Sequence, residues 1–201
     1  MIRVVLADDE TLVRDALATV LGLQDGIEIV AQAESGTEAA ALITQWQPDI
    51  AVLDLQMPGL DGIEVVEAVA TSAPTSRCLI VTSHGRPGYL KRALAAGARG
   101  FLPKTTSAKV LAEVIRKVHD GHRYVDPELS AEAISSGDSP LTAREADVLE
   151  YAAGGAPIDE IAARAHLSPG TVRNYLSASV TKLGVANRHE AVELARSRGW
   201  I

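Results

Sequence analysis

The chain has 201 residues, 47% of them apolar, 22% charged and 3% aromatic, with a formal net charge of −7. That length allows one or two domains at roughly 100–150 residues each, and the composition excludes intrinsic disorder. A single cysteine, Cys78, excludes an internal disulfide framework and a Cys-based zinc site, and no apolar run reaches the roughly 18 residues of a membrane helix.

Ile2–Ala7 is a short apolar run rich in β-branched residues and predicts a strand. It runs straight into acids, without the basic segment and cleavage site of a signal peptide, so the expected location is cytoplasmic. Residues 11–23 place Leu12, Ala16, Val20 and Leu23 at helical spacing. Ile27–Ala33 then predicts a strand, Thr37–Trp46 a helix, Asp49–Leu53 a strand and Gly62–Ser72 a helix. Cys78–Val81, Gly88–Ala96, Gly100–Leu102 and Ser107–His119 continue the alternation. Five strands alternating with five helices predict a doubly wound α/β fold with a five-stranded parallel sheet and right-handed crossovers. Sites in such sheets lie outside the carboxyl ends of the strands.

At those ends the chemistry is concentrated. Asp8 and Asp9 follow the first predicted strand, Asp54 the third, Thr82 and Ser83 the fourth, and Lys104 the fifth. Three carboxylates in one place repel and raise one another's pKa. A hard divalent cation relieves that repulsion, and oxygen ligands with retained water suit Mg²⁺. The expected ligands are Asp9 and Asp54, with Asp8 through water and the Gln56 carbonyl as a further contact. Asp54 is also placed as a nucleophile toward phosphorus, which gives an acyl phosphate. Lys104 would neutralise charge on the transferring group, and the Thr82 hydroxyl would hydrogen-bond a phosphate oxygen. Taken singly, an Asp at a strand end is an ordinary turn former or helix cap; the joint placement carries the signal.

The residues Asp8-Asp9, Asp54-Leu-Gln-Met-Pro-Gly-Leu-Asp-Gly62, Thr82 and Pro103-Lys104 resemble a response-regulator receiver domain of two-component signalling, over residues 1–120. The resemblance implies a flavodoxin-like receiver, Asp54 as phosphoacceptor, Asp8 and Asp9 as the metal pair, and Thr82 as the switch hydroxyl. It makes Lys104 the phosphate contact and Phe101, the one Phe of the chain, the aromatic switch. Phe101 is then expected to follow Thr82 into the space it vacates. Gln56 and His84 match positions that tune hydrolysis of the acyl phosphate. Thr105 departs from the Asp that many relatives carry there.

Residues 121–139 hold scattered Asp, Ser, Gly and Pro around a short helical piece near Pro127–Ile134, and read as a linker. Thr142-Ala-Arg-Glu145 is a capping box that opens a helix running to about Ala153 and stopping at Gly154-Gly155. A second helix of about eight residues follows Pro157, with Ile158, Ile161 and Ala162 inward. Ser168 as N-cap and Pro169 at the first helical position open a third. A fourth spans about Arg188–Arg198. Residues 140–201 thus predict a smaller all-α unit of four helices with a helix-turn-helix.

The third of these helices bears on function. Val172, Leu176, Val180 and Leu183 share one face, which is expected to be core. The opposite face carries Gly170, Asn174, Ser177, Ala178 and Thr181, with Arg173 at its flank. Small and polar side chains let a helix backbone lie close to another surface, which suits a major groove about 12 Å wide. Arg173, Asn174 and Ser177 are the expected base-edge contacts, and Thr171, Lys182 and Arg188 the expected phosphate contacts. The charge of −7 does not oppose this. Residues 1–121 carry eleven Lys/Arg against fifteen Asp/Glu, residues 122–139 one against four, and residues 140–201 seven of each. The stretch 161–189 has Arg164, Arg173, Lys182 and Arg188 and no acid.

Leu141-Thr-Ala-Arg-Glu145, Leu167-Ser-Pro-Gly-Thr-Val-Arg-Asn174 and Lys182-Leu-Gly-Val-Ala-Asn-Arg188 resemble the four-helix DNA-binding domain of the LuxR/NarL class. That class commonly pairs two copies through its fourth helix, which here puts Ala191, Leu194, Ala195 and Arg198 on one side. Asp159 departs from the class, being unfavourable near phosphate. Arg86-Pro-Gly-Tyr89, Gly170-Thr-Val-Arg-Asn-Tyr175 and Arg198-Gly-Trp200 are further similar to desaturase-gene regulators that respond to membrane fluidity.

The combined expectation is a DNA-binding response regulator and not an enzyme. A histidine kinase phosphorylates Asp54, a homodimer forms, and promoter DNA is bound to regulate transcription. Two other readings stand beside it. An aspartyl-phosphate phosphatase would need a second Asp two residues after the first, where this chain has Gln56, and a cap domain for which there is no length. A phosphate-independent regulator with a vestigial receiver is opposed by the intact Asp8, Asp9, Asp54, Thr82 and Lys104.

Overall fold

A computed structural model of the chain describes residues 1–83, 85–135 and 139–201. They form two compact units, Met1–Gly85 with Leu90–Leu129, and Arg86–Tyr89 with Ser130–Ile201.

The first unit is built on six strands: β1 (Ile2–Ala7), β2 (Ile27–Ala33), β3 (Ile50–Asp54), β4 (Arg77–Thr82), β5 (Gly100–Pro103) and β6 (Tyr124–Val125). Their order is β2-β1-β3-β4-β5-β6, and every neighbouring pair is parallel. The connecting helices are α1 (Thr11–Gly22), α2 (Gly36–Trp46), α3 (Gly62–Ser72), α4 (Pro87–Ala96) and α5 (Ala108–His119). Strand residues alternate between two buried faces. Val4, Leu6, Val52, Leu79, Val81 and Leu102 pack with Leu21 of α1 and with Leu111, Val114, Ile115 and Val118 of α5. Val5, Leu53, Ile80 and Phe101 point the other way and are equally buried. Burying each such side chain contributes about 1.5–3 kcal/mol, which explains near-continuous apolar strands.

Two expectations change here. The sheet has a sixth strand, because Tyr124–Val125 pairs with Gly100 and Phe101 of β5. Two residues inside a segment of turn formers carry no periodicity, so nothing local marks them as a strand. In α1 the row Leu12, Val20 and Leu23 faces outward, at 83%, 39% and 77% exposure, and Leu21 is the buried residue. The core is reached instead through Leu17, Ala18 and Leu21.

Side chains close the helix starts. Ser35 and Ser107 accept from Glu38 N–H and Val110 N–H, and Asp61 and Glu64 form a full capping box on α3. At Gly62 a Cβ would collide with the carbonyl oxygen of Asp54. The absent side chain therefore lets α3 start directly against the end of β3. Gly59 sits in the left-handed region at φ 81°, which completes the turn after β3.

The second unit contains α7 (Ala143–Tyr151), a 3₁₀ turn (Ala152–Gly154), α8 (Ile158–Ala165), α9 (Pro169–Leu183) and α10 (Arg188–Ser197); α6 (Pro127–Ser135) precedes them. Val148, Leu149, Ile161, Ala162, Val172, Leu176, Ala191, Val192 and Ala195 form its core. The capping box at Thr142 is present in both directions: Glu145 N–H donates to Thr142 Oγ1 at 3.3 Å and Thr142 N–H to Glu145 Oε2 at 2.7 Å. His166, at φ 52°, ends α8 in the left-handed region, and Ser168 caps α9 two residues later. That short connection makes α8 and α9 a helix-turn-helix. On α10, Ala191 and Ala195 are fully buried. The face expected to pair two copies is therefore largely spent on the core of its own unit.

Candidate functional site

Because β1, β3, β4 and β5 are adjacent and parallel, their carboxyl ends lie along one edge of the sheet. The strand order reverses between β1 and β3, where a crevice is expected. Asp8 follows β1, Asp54 ends β3, Thr82 ends β4 and Lys104 follows β5. Asp8, Asp54 and Thr82 are 2%, 6% and 1% exposed, and Asp9 is exposed beside them. Carboxylate oxygens of Asp8, Asp9 and Asp54 all lie within 4.8 Å of one another. That donor set is hard and anionic, which suits a small divalent cation.

Lys104 is the counter-charge. Its Nζ lies 2.9 Å from Asp8 Oδ2, 2.9 Å from Glu10 Oε1 and 3.3 Å from Asp54 Oδ2. Its backbone N–H donates to the Thr82 carbonyl at 2.8 Å, which locks the start of the loop onto β4. The other oxygens are held too. Leu55 N–H donates to Asp54 Oδ1 at 2.8 Å, and Glu10 N–H to Asp8 Oδ1 at 2.9 Å. Arg14 Nη1 donates to the Asp8 carbonyl at 2.7 Å.

Burial pushes the Asp54 carboxyl up to about 7; Lys104 opposes this and Asp8 adds to it. Burial also raises Asp9, with Asp8 next in effect. Burial alone would lower Lys104, yet Asp54, Asp8 and Glu10 together hold it above the ordinary lysine value. The pocket thus holds excess negative charge against one ammonium, and a cation would lower its energy.

The structure brings Asp8, Asp9, Asp54, Thr82 and Lys104 to one edge. Gln56 is half-buried two residues beyond Asp54. His84, expected to tune hydrolysis, lies outside the described residues. Phe101 is on β5 and fully buried. Glu10 was not among the expected site residues. Its signal was adjacency to the acidic pair; only the fold shows that it reaches Lys104.

On α9, Val172 and Leu176 are buried and Val180 and Leu183 pack against the same core. Arg173, Asn174, Ser177 and Thr181 are exposed on the other side. Two of the expected phosphate contacts are already engaged. Lys182 Nζ donates to Glu145 Oε2 at 2.7 Å, and the Thr171 hydroxyl lies 2.8 Å from that of Ser168. Glu145 is 5% exposed, so Lys182 answers a buried carboxylate at the start of α7. Burial opposes that charge, but Lys182 and the Thr142 N–H hold Glu145 below the usual carboxylate range. Lys182, named above as a phosphate contact, is thus paired within its own unit while its side chain stays 39% exposed. Arg188 stays exposed, with Nη1 3.5 Å from the Ala156 carbonyl.

A parallel α/β unit with an acidic pocket and an opposed lysine, joined to a helix-turn-helix unit, defines a signal-receiving, DNA-binding regulator. Comparison with known proteins agrees. The response regulator receiver domain matches residues 4–116, and the bacterial regulatory proteins of the luxR family match residues 139–195. Two Bacillus subtilis proteins, the uncharacterized transcriptional regulatory protein YvfU and the transcriptional regulatory protein DesR, are each 38% identical over the whole of both chains. The crystal structure of response regulator ChrA is 33% identical, covers 100% of this chain and 98% of its own, and superposes with a TM-score of 0.58. The chain belongs to the response regulators of the LuxR/NarL class and is a DNA-binding transcriptional regulator. YvfU and DesR are equally similar, so overall identity singles out no set of target genes.

Proposed function

We propose that Asp54 is the phosphoacceptor and that a histidine kinase is its donor. An Asp54 carboxylate oxygen forms the new O–P bond while the P–N bond of the donor phosphohistidine breaks. The departing ring nitrogen keeps the electron pair and takes a proton. The convergence of Asp54 with Asp8, Asp9 and Lys104 at one sheet edge carries this reading. Asp8, Asp9 and Asp54, with the Gln56 carbonyl, would hold Mg²⁺, which when bound offsets negative charge on the transferring oxygens. Lys104 holds the same oxygens from the β5 side, and the Thr82 hydroxyl takes one of them and so links phosphate to the packing around Phe101. ChrA is described as part of a heme-sensing two-component system, which supports a kinase partner of that general kind. The protein acts in the cytoplasm as a switch rather than a turnover enzyme.

Phosphorylation promotes a homodimer whose two α9 helices meet half-sites about one helical turn apart on promoter DNA. Arg173, Asn174 and Ser177 read base edges, and Arg188, with Thr171, contacts phosphates. The test is sedimentation with beryllofluoride and Mg²⁺, followed by binding to a promoter fragment. A rise in dimer content and in affinity is expected; unchanged profiles for both would remove the phospho-switch.

A further inference from the structure

Lys104 has three ammonium hydrogens and, in this state, three carboxylate acceptors: Asp8, Glu10 and Asp54. Its side chain is 11% exposed, so little water competes for those hydrogens. A phosphoryl group formed on Asp54 takes over that carboxylate's place beside Lys104 and brings further oxygens, which compete with Asp8 and Glu10 for the remaining hydrogens. The three are not equivalent. Asp8 and Asp54 belong to the oxygen cluster that suits a cation, and Glu10 does not. Asp8 and Asp54 are also buried, whereas the Glu10 side chain is 59% exposed and free to swing into water.

Glu10 is nevertheless placed with care. Its N–H donates to Asp8 Oδ1 at 2.9 Å, a local turn that fixes its backbone over the pocket. Its Oε1 then meets Lys104 at 2.9 Å across 94 residues of chain. We infer that Glu10 is a latch on Lys104: it occupies the ammonium while Asp54 is unmodified and is the acceptor displaced when a phosphoryl group arrives. This rests on the phosphoacceptor reading above and adds a positioning residue to it. The latch opposes phosphorylation by the strength of one half-exposed ion pair and keeps Lys104 oriented between events. It favours the resting state without touching phosphate itself.

The test is a ¹⁹F NMR titration of beryllofluoride at fixed Mg²⁺ on the full chain. Glu10→Gln keeps the size and the backbone turn and removes the charge, and its exposure makes the fold tolerant. Its affinity is expected to rise about two- to fivefold, the range set by an exposed ion pair. Glu34→Gln removes an equal charge near the carboxyl end of β2, from a side chain with no contact to Lys104, and should leave affinity within about 1.5-fold by the same scale. In the resting protein the ¹⁵Nζ resonance of Lys104 should shift in Glu10→Gln. With beryllofluoride bound it should coincide with wild type. Equal affinity of wild type and Glu10→Gln overturns the latch, as does an equal gain in Glu34→Gln. Failure of wild type to bind beryllofluoride at all would instead overturn the phosphoacceptor reading.

Discussion

The two units solve the problem of charge in opposite ways. In the first, function lies in a buried pocket where anions outnumber their one ammonium, so the pocket is electrostatically unsatisfied by design of its fold. In the second, the buried Glu145 is paired with Lys182, and the proposed DNA contacts lie on an exposed helix face. On the proposed reading, a site that receives a cation and a phosphoryl group keeps unspent charge. On the same reading, a site that presents one helix to a polyanion uses the Lys182–Glu145 pair to hold that helix.

That contrast can be broken at several points. Asp54→Ala should abolish labelling by acetyl phosphate, because it removes the carboxylate that ends β3 beside Lys104; retained labelling would move the acceptor elsewhere. Gly62→Ala forces a Cβ against the Asp54 carbonyl and should destabilise the first unit by about 1–3 kcal/mol in denaturant unfolding. A neutral result would separate the α3 packing from the pocket. Arg173→Ala should cost about 1–3 kcal/mol of specific DNA binding and relax the preference at one base pair. Arg188→Ala should reduce the salt slope of DNA binding by about 0.9.

Lys182→Ala sharpens the comparison most directly. It should lower stability by about 1–2 kcal/mol, because it leaves the buried Glu145 carboxylate with the Thr142 N–H but no counter-charge, and leave the salt slope nearly unchanged. The reverse pattern would restore Lys182 as a phosphate contact. The smallest effect concerns pH. The folded-state pKa of Glu145 lies below its ordinary value of 4.5, so its stabilising contribution is present above that value and is lost as pH falls through the folded pKa. Glu145→Gln should therefore flatten the acid limb of the unfolding curve below about pH 4.5, a difference that parallel acid titrations would reveal.

Much of this was legible in the chain itself. The strand runs and caps at Thr142 and Ser168 appeared where local chemistry places them, because β-branched runs and capping side chains act within a few residues. The pocket was legible because parallel strands deliver their carboxyl ends to one edge, so Asp8, Asp54, Thr82 and Lys104 could be assembled from their positions alone. What was missed depends on distant partners. Tyr124–Val125 is a strand only because β5 offers it an edge. The Leu12 row of α1 has helical spacing, yet spacing does not say which face meets the sheet. Ala191 and Ala195 are small and unmarked, and only packing shows them to be core rather than interface.

By itself the sequence determined the class of fold, the pocket and the helix proposed to read DNA, since each rests on periodicity, capping or strand-end position. Tertiary structure alone decided how the charges are paired. Lys104 meets Glu10 across 94 positions and Lys182 meets Glu145 across 37. These ion pairs are a matter of distance in space, and no local pattern encodes partners so far apart in the chain.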